Sequence, residues 1–367
     1  MRFRNMSDKR VIFLVLFVAS IVVLFGLVFS PLGLTQSLIA PPPQTSQSST
    51  PATPAPSVTS DPCDVPDRTM HDDAPNTINC AAYGLSRRAV PARIHYGVMV
   101  GYETDVVEIV MHEIYPVVDS IVVVETNVTH SRKDKPFIFN ATFHERLVRF
   151  RDKIHYVPIP RKEKFSDNWA IEKFQRNSVM RLMMTELRAK IKLKKGDIIV
   201  GNIDMDELMN RRTLAKWKYC EMPQSKPLYF HLLQCQWSFR CSPYTHLAGY
   251  GGTVFYFDGT MRDFYRSRSM LRSKIELGSF SDKTWKQPAV KEMDWHMSSF
   301  GSVDEVLRKN DNSPHRHISV YTREQVLKAF EVCHMEGRDG YRTFVPLPLL
   351  PVFVRQNECY FRKKRWI

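Results

Sequence analysis

The sequence predicts an α/β protein, a mostly parallel sheet with flanking helices, behind a single N-terminal membrane helix. Three observations carry that expectation. Residues 11–29, VIFLVLFVASIVVLFGLVF, run for nineteen positions without a charge, close to the roughly 20 residues that span a bilayer core. Beyond residue 85, short β-branched runs alternate with segments of helical period, the order that builds a parallel sheet covered on both faces. Three acids, Asp204, Asp206 and Glu207, follow one of those runs in GDIIVGNIDMDELMN, at the strand end where open α/β sheets bind ligands.

The N-terminal elements come first. The tail MRFRNMSDKR carries four basic residues and one acid, and residues 11–60 carry no charge. The basic side stays cytosolic, so the expected order is a tail at 1–10, a membrane anchor at 11–34, and a lumenal remainder. A cleaved signal peptide is the alternative reading of the same run. Residues 35–84 are rich in Pro, Ser and Thr, a composition that cannot repay chain entropy by burial and reads as a stem. The span 85–367 is long enough for one large domain with its own core. This single-pass arrangement, with the domain lumenal, implies a Golgi or endoplasmic reticulum membrane.

All seven cysteines, Cys63, Cys80, Cys220, Cys235, Cys241, Cys333 and Cys359, lie beyond the apolar run, in a compartment where disulfides persist. At least one bridge is expected among the last five, and the odd count leaves one thiol free or paired between chains. Sequons at Asn127 and Asn140 agree with that topology. The net charge is +14. In this compartment nucleic acid is excluded as a partner, and most of the basic residues, Arg362–Arg365 included, read as solvated surface. Oligomeric state is not legible.

Within the domain, residues 93–100 predict a strand, 104–117 a helix, and SIVVVET (120–126) a strand buried on both faces. HYVPI follows as another strand. A long helix is expected from Asn168 to Ile191, because Val179, Leu182, Met183, Leu187 and Ile191 recur at spacings of three and four and make one buried stripe. GDIIVGNI is the next strand, and a helix is expected around Arg211–Lys218.

If the chain leaves that strand extended, Asp204 and Asp206 share one face. Two carboxylates on one edge repel unless a cation lies between them, and hard oxygen ligands suit Mg²⁺ or Mn²⁺. Such an ion would hold a diphosphate. The plainer alternative makes Asp204 and Glu207 caps of the following helix.

Several segments then resemble one family in order: HEI before a strand ending VVVETNVTHSRKDKP, NWAIEKFQR at the head of the long helix, DMDEL, YFHLLQ, and DWHMSSF. Together they resemble glycosyltransferase family 17 from about His95 to His315. The sequence departs from the family at Leu208-Met209, where Ile-Pro is usual, and between Gln234 and Lys291. The resemblance implies an A-type glycosyltransferase fold, Rossmann-like, with a UDP-sugar donor (UDP-N-acetylglucosamine in known members), a glycan acceptor, a divalent metal, and inversion at the transferred sugar.

Candidate roles follow. Asp206 is the expected metal contact, with Asp204 on the ribose or the metal's water shell, and His296 completing the coordination or donating to phosphate. Glu207 is expected to orient Asp206 or a basic neighbour in the catalytic group. Glu125 and Asn127, at the end of an earlier strand, could reach uracil or ribose. Trp169 could stack on a ring, and Arg176 could pair with phosphate or with Glu172. Asp294, with Asp282 and Glu292 behind it, is the candidate base that takes the acceptor hydroxyl's proton. Two other classes compete. A glycosidase needs its carboxylates about 5 to 9.5 Å apart across a bond, wider than adjacent acids on one strand end. A sugar-binding module needs no Asp-x-Asp pair at all.

Overall fold

The computed structural model describes residues 61, 63–69, 78–161, 165, 167–185, 187–222, 228–242, 247–259, 294–313, 321–333 and 345–367. The chain divides into two units, Met1–Val58 and Thr59–Ile367, and every described residue lies in the second. The membrane helix expected at 11–34 lies outside the described residues. Among the described residues no helix is long and apolar enough to cross a membrane, which corrects the predicted fold class: the described structure is a mixed α/β domain with no membrane span.

Strand β1 (Ile94–Val100) leads into α1 (Thr104–Ile114), β2 (Ser120–Thr126) into α2 (Ile138–Arg146), and β3 (Ile154–Ile159) into α3 (Asn168–Met184). Next come β4 (Ile198–Asp204), β5 (Glu207–Leu208), α4 (Arg211–Tyr219), β6 (Leu228–Gln236) and β7 (Leu247–Tyr256). The last elements are β8 (Asp294–Ser298), α5 (Val303–Asn312), α6 (Arg323–Val332), α7 (Val352–Gln356) and α8 (Glu358–Lys363). One sheet holds the eight strands in the order β3-β2-β1-β4-β7-β6-β8-β5. The half from β3 to β4 is parallel. The other half is mixed: β7 runs antiparallel to β4 and β6, β8 parallel to β6, and β5 antiparallel to β8. The expected mostly parallel sheet is thus continuous in its parallel pairing only from β3 to β4, and beyond β4 the β6–β8 pair alone is parallel.

Alternation along the buried strands splits the core in two. Tyr96, Val98 and Val123 face the layer that contains Ile109, Val110 and Met111 of α1. Met99, Val122 and Val124 face Val179, Leu182 and Met183 of α3. A Cβ at Gly97 would stand 2.6 Å from both Met183 Sδ and Val179 Cγ1, so only glycine lets α3 approach β1 this closely. Helix α3 ends at Met184, shorter than the predicted Asn168–Ile191, because Thr185 leaves helical geometry (φ −110°, ψ −87°). Leu187 and Ile191 nevertheless stay buried in the same core; the stripe was right and the boundary was not.

At the amino edge of the sheet, His95 Nδ1 lies 2.7 Å from Ser120 Oγ and Nε2 lies 3.1 Å from Asp197 Oδ2. The three repeat the order of a nucleophilic triad, yet Ser120, His95 and Asp197 are 2%, 1% and 6% exposed, so no substrate carbonyl reaches the serine. Their work is to tie the starts of β1, β2 and β4 together, with Arg93 paired to Asp197.

Three disulfides join Cys63 to Cys359, Cys80 to Cys220, and Cys241 to Cys333, and among the described residues Cys235 is free and buried. The expected bridge among the later cysteines is Cys241–Cys333. The other two tie residues of the predicted stem to the domain. The C-terminal basic run is not merely solvated: Lys363 pairs with Asp61 and Asp64, and Lys364 with Asp105.

The Cys80–Cys220 bridge spans 140 residues of sequence, so its loss frees a large loop in the unfolded chain. Replacing both by alanine is expected to cost about 2–5 kcal/mol, read as a lower midpoint in chemical unfolding. An unchanged midpoint would contradict this account of the bridge.

Candidate active site at the carboxyl edge of the parallel strands

Strands β1, β2 and β4 end together at Val100, Thr126 and Asp204, since Val100 pairs with Glu125 and Met99 with Asp204. The chain does not stay extended after Asp204. It turns at Met205–Asp206 before β5, and Met297 N donates to Asp206 O at 2.7 Å, fixing the turn against β8. The two acids therefore take separate partners instead of sharing one face.

Asp204 turns to α3, where Arg176 donates from Nε at 3.1 Å and from Nη2 at 2.5 Å, a bidentate fork suited to a carboxylate. Arg176 also pairs with Glu172 one turn earlier, the second of its two expected partners, and its other partner here is Asp204 in place of phosphate. Asp206 turns the other way: Lys309 Nζ of α5 donates to its Oδ2 at 2.6 Å, and His296 Nε2 stands 3.7 Å from the same oxygen. Burial pushes the Asp206 pKa up, but Lys309 and His296 outweigh it and hold the carboxyl well below the usual range. The His296 pKa is raised, burial opposing and the Asp206 charge prevailing. Glu207 is buried, pairs in register with His296 across the β5–β8 ladder, and accepts from Asp204 N at 3.4 Å.

The capping alternative fails on geometry. Helix α4 is capped by Asn210, whose side chain accepts from Arg212 N at 2.8 Å, while Glu113 accepts from Arg211 N at 3.0 Å. Neither Asp204 nor Glu207 supplies that cap. Asp294 serves the same helix start, accepting from Asn210 N at 2.7 Å. Burial pushes its pKa up to about 8, against hydrogen bonds from Asn210 and Thr213 that pull it down.

The remaining predicted residues are dispersed. Glu125 is 1% exposed and is saturated by Lys135 Nζ at 2.7 Å, the amides of Ile138 and Phe139 at 2.7 and 3.1 Å, and Tyr156 Oη at 2.9 Å. It is the anion at the start of α2. Asn127 Oδ1 accepts from Arg161 N at 2.6 Å, whereas Asn140 of the second sequon is exposed on α2. Trp169, 48% exposed, opens α3. It lies seven residues, about two helical turns, before Arg176. Asp282 and Glu292 lie outside the described residues.

Sequence reasoning missed Lys309 and Glu103. Lys309 Nζ bridges Asp206 and Glu103 Oε1, the latter at 3.0 Å, and their attraction raises its pKa against burial. Helix α5 reaches this position because Gly301 turns with φ 144°, a conformation closed to other residues. Ser302 and Glu305 then form a capping box, and Val306 seats the helix in a small core with Trp237, Val326 and Ala329. A lysine on a polar helix face carries no sequence signal for this role.

The donor chemistry fits a divalent ion in part. Among the described residues no group of three or more His, Cys, Asp or Glu is arranged to hold a metal, so Asp204, Asp206 and His296 do not form one ligand set. Asp206 Oδ2 and His296 Nε2, 3.7 Å apart, stand near each other but wider than the roughly 3.0 Å between adjacent ligands of an octahedral ion at about 2.1 Å, so the two would have to close on a bound ion. Lys309 Nζ sits on that same oxygen, Asp206 Oδ2, at 2.6 Å.

Over 164 residues, 42% of this chain, the sequence is 28% identical to the human β-1,4-mannosyl-glycoprotein 4-β-N-acetylglucosaminyltransferase, and 27% identical to its rat counterpart. The match spans 29% and 28% of those proteins' own lengths, under a third. The model of glycosyltransferase family 17 matches residues 17–335, which takes in every described strand and both acids of the turn. The chain belongs to glycosyltransferase family 17.

Proposed function

We propose that this domain transfers N-acetylglucosamine from UDP-N-acetylglucosamine to a glycan acceptor, with the β-1,4 linkage to mannose named for its relatives, in an oxidising compartment of the secretory pathway. The observation that carries the reading is the Asp206 carboxylate, ionised and held between Lys309 and His296 at the carboxyl end of β4. Ligands bind at that edge of an α/β sheet. The three disulfides support the compartment.

Asp206 and His296 would hold a divalent cation, Mn²⁺ or Mg²⁺. When bound, the cation supplies charge stabilisation to the departing diphosphate. The chain's own residues do the rest. Arg176 fixes Asp204 beside the turn, so that carboxylate presents a fixed acceptor edge for a donor hydroxyl. His296, beside Asp206, would complete the cation's coordination as a neutral imidazole. Trp169 offers an exposed apolar ring on which a sugar or base can stack. Asp294 keeps its proton up to about pH 8, and at pH 7 it lacks the charge that a general base needs.

Replacing Asp206 by asparagine is expected to lower turnover of UDP-N-acetylglucosamine with a mannose-terminated glycan on the order of 10²-fold. Circular dichroism at the assay temperature should remain that of the wild type. Near-normal turnover in this variant would defeat the reading.

The Asp294→Asn variant tests the helix-entrance role. The folded state holds a proton on Asp294 that the unfolded chain releases above about pH 4, so this group makes the wild type lose stability as pH rises from there towards pH 8. The variant should show a flatter dependence over that window, greater stability at pH 8 by about 1 kcal/mol or more, and retained turnover. Lost turnover with an unchanged pH slope would give Asp294 the proton-accepting role instead.

A further inference from the structure

Helix α5 lies across the strand ends, and its contacts there are unevenly built. On one side Val306 is fixed in the core beside the Cys241–Cys333 bridge. Near its carboxyl end, Asp311 pairs with Lys133, and Asn312 Oδ1 accepts from Ser131 Oγ at 3.2 Å, both partners in the loop after β2. Between them Lys309 sits on Asp206 Oδ2 at 2.6 Å and Glu103 Oε1 at 3.0 Å. Glu103 is itself set by the loop after β1, accepting from Gly101 N at 3.1 Å. The ammonium thus has two acidic anchors, only one of which belongs to the turn that carries the acids.

Resting on the nucleotide-sugar reading of this site, we propose that Lys309 is a transferable counter-ion. It neutralises Asp206 when no donor is bound, and passes to the donor's diphosphate when a divalent cation takes the carboxylate. An ammonium and a divalent cation cannot both occupy the same face of Asp206 Oδ2. The ammonium that yields it is left beside the cation and needs anionic charge, which the diphosphate brings. A lysine suits the exchange because its charge is compact, carries three donors, and rides on a flexible four-carbon stem. Glu103 keeps the ammonium at the edge during the move, and the fixed helix limits the motion to the side chain. Two cations with one carboxylate between them make cation and nucleotide binding cooperative, since the nucleotide supplies the partner that the displaced lysine lacks.

The test is calorimetry on the full chain, with Mn²⁺ titrated in the absence of nucleotide and UDP titrated at saturating Mn²⁺. Lys309→Met is expected to bind Mn²⁺ at least about tenfold more tightly, because its competitor is gone. It should bind UDP at least about tenfold more weakly, because a charged hydrogen bond to phosphate is lost. Should Lys309→Met not fold, the double variant with Glu103→Gln, whose removed charges cancel, carries the test with the same two shifts. A purely structural lysine would weaken both ligands together or neither, and any result without opposite shifts overturns the proposal. Wild-type protein that binds neither Mn²⁺ nor UDP would overturn the functional reading beneath it; wild-type protein that binds both, with variants that match it, overturns this inference alone.

Discussion

Two carboxylates two residues apart cannot both remain ionised at a half-buried strand end without positive charge beside them. This chain meets that constraint from two directions. Arg176 comes from α3 to Asp204, and Lys309 comes from α5 to Asp206. The turn at Met205–Asp206 is what separates the two acids, and β8 holds the turn by one backbone hydrogen bond. The positions of α3, α5 and β8 relative to β4 are therefore all expressed at one pair of side chains. Removing either cation would leave a carboxylate partly desolvated, which is costly where the partner is buried.

The rest of the fold serves to bring those elements to one edge. Parallel pairing from β3 to β4 aligns the strand ends, and the His95–Ser120–Asp197 cluster fixes the opposite ends. Close packing of α3 on Gly97 sets how far Arg176 reaches. The mixed half of the sheet has a different task. It runs β8 back beside β5, so that His296 meets Glu207 and Asp206, and it launches α5 over the site. Glu125 illustrates the division of labour: it lies near the end of β2 at the same edge, yet its four hydrogen bonds are spent on two amides at the start of α2, on Lys135 and on Tyr156 of β3.

How much of this the sequence discloses follows from physical range. Strands β1, β2 and β4 and the buried stripe of α3 are written in local periodicity, and the Asp-x-Asp position follows from a strand that ends in charge. The end of α3 at Thr185 was not legible, since the apolar spacing continues through Leu187 and Ile191 in a different backbone. The turn after Asp204 was missed because three acids in four residues say nothing about backbone direction. Lys309 lies 103 residues from Asp206, and only the packing of α5 joins them. Asp294 stood near the right segment of sequence, but its hydrogen bond to Asn210 depends on the β6–β8–β5 order, which no periodicity reveals. The apolar run at 11–29 lies outside the described residues, so the described fold speaks for the domain alone.

The central claim is that a nucleotide sugar binds across the turn after β4 and beneath α5. The measurement that addresses it most directly is hydrogen exchange by mass spectrometry on the full chain, with and without UDP and Mn²⁺. The account predicts slower exchange in peptides covering residues 101–104, 204–208 and 303–312, with residues 61–69 and 356–360 unaffected. Protection confined to other segments, or no protection at saturating UDP, would contradict it.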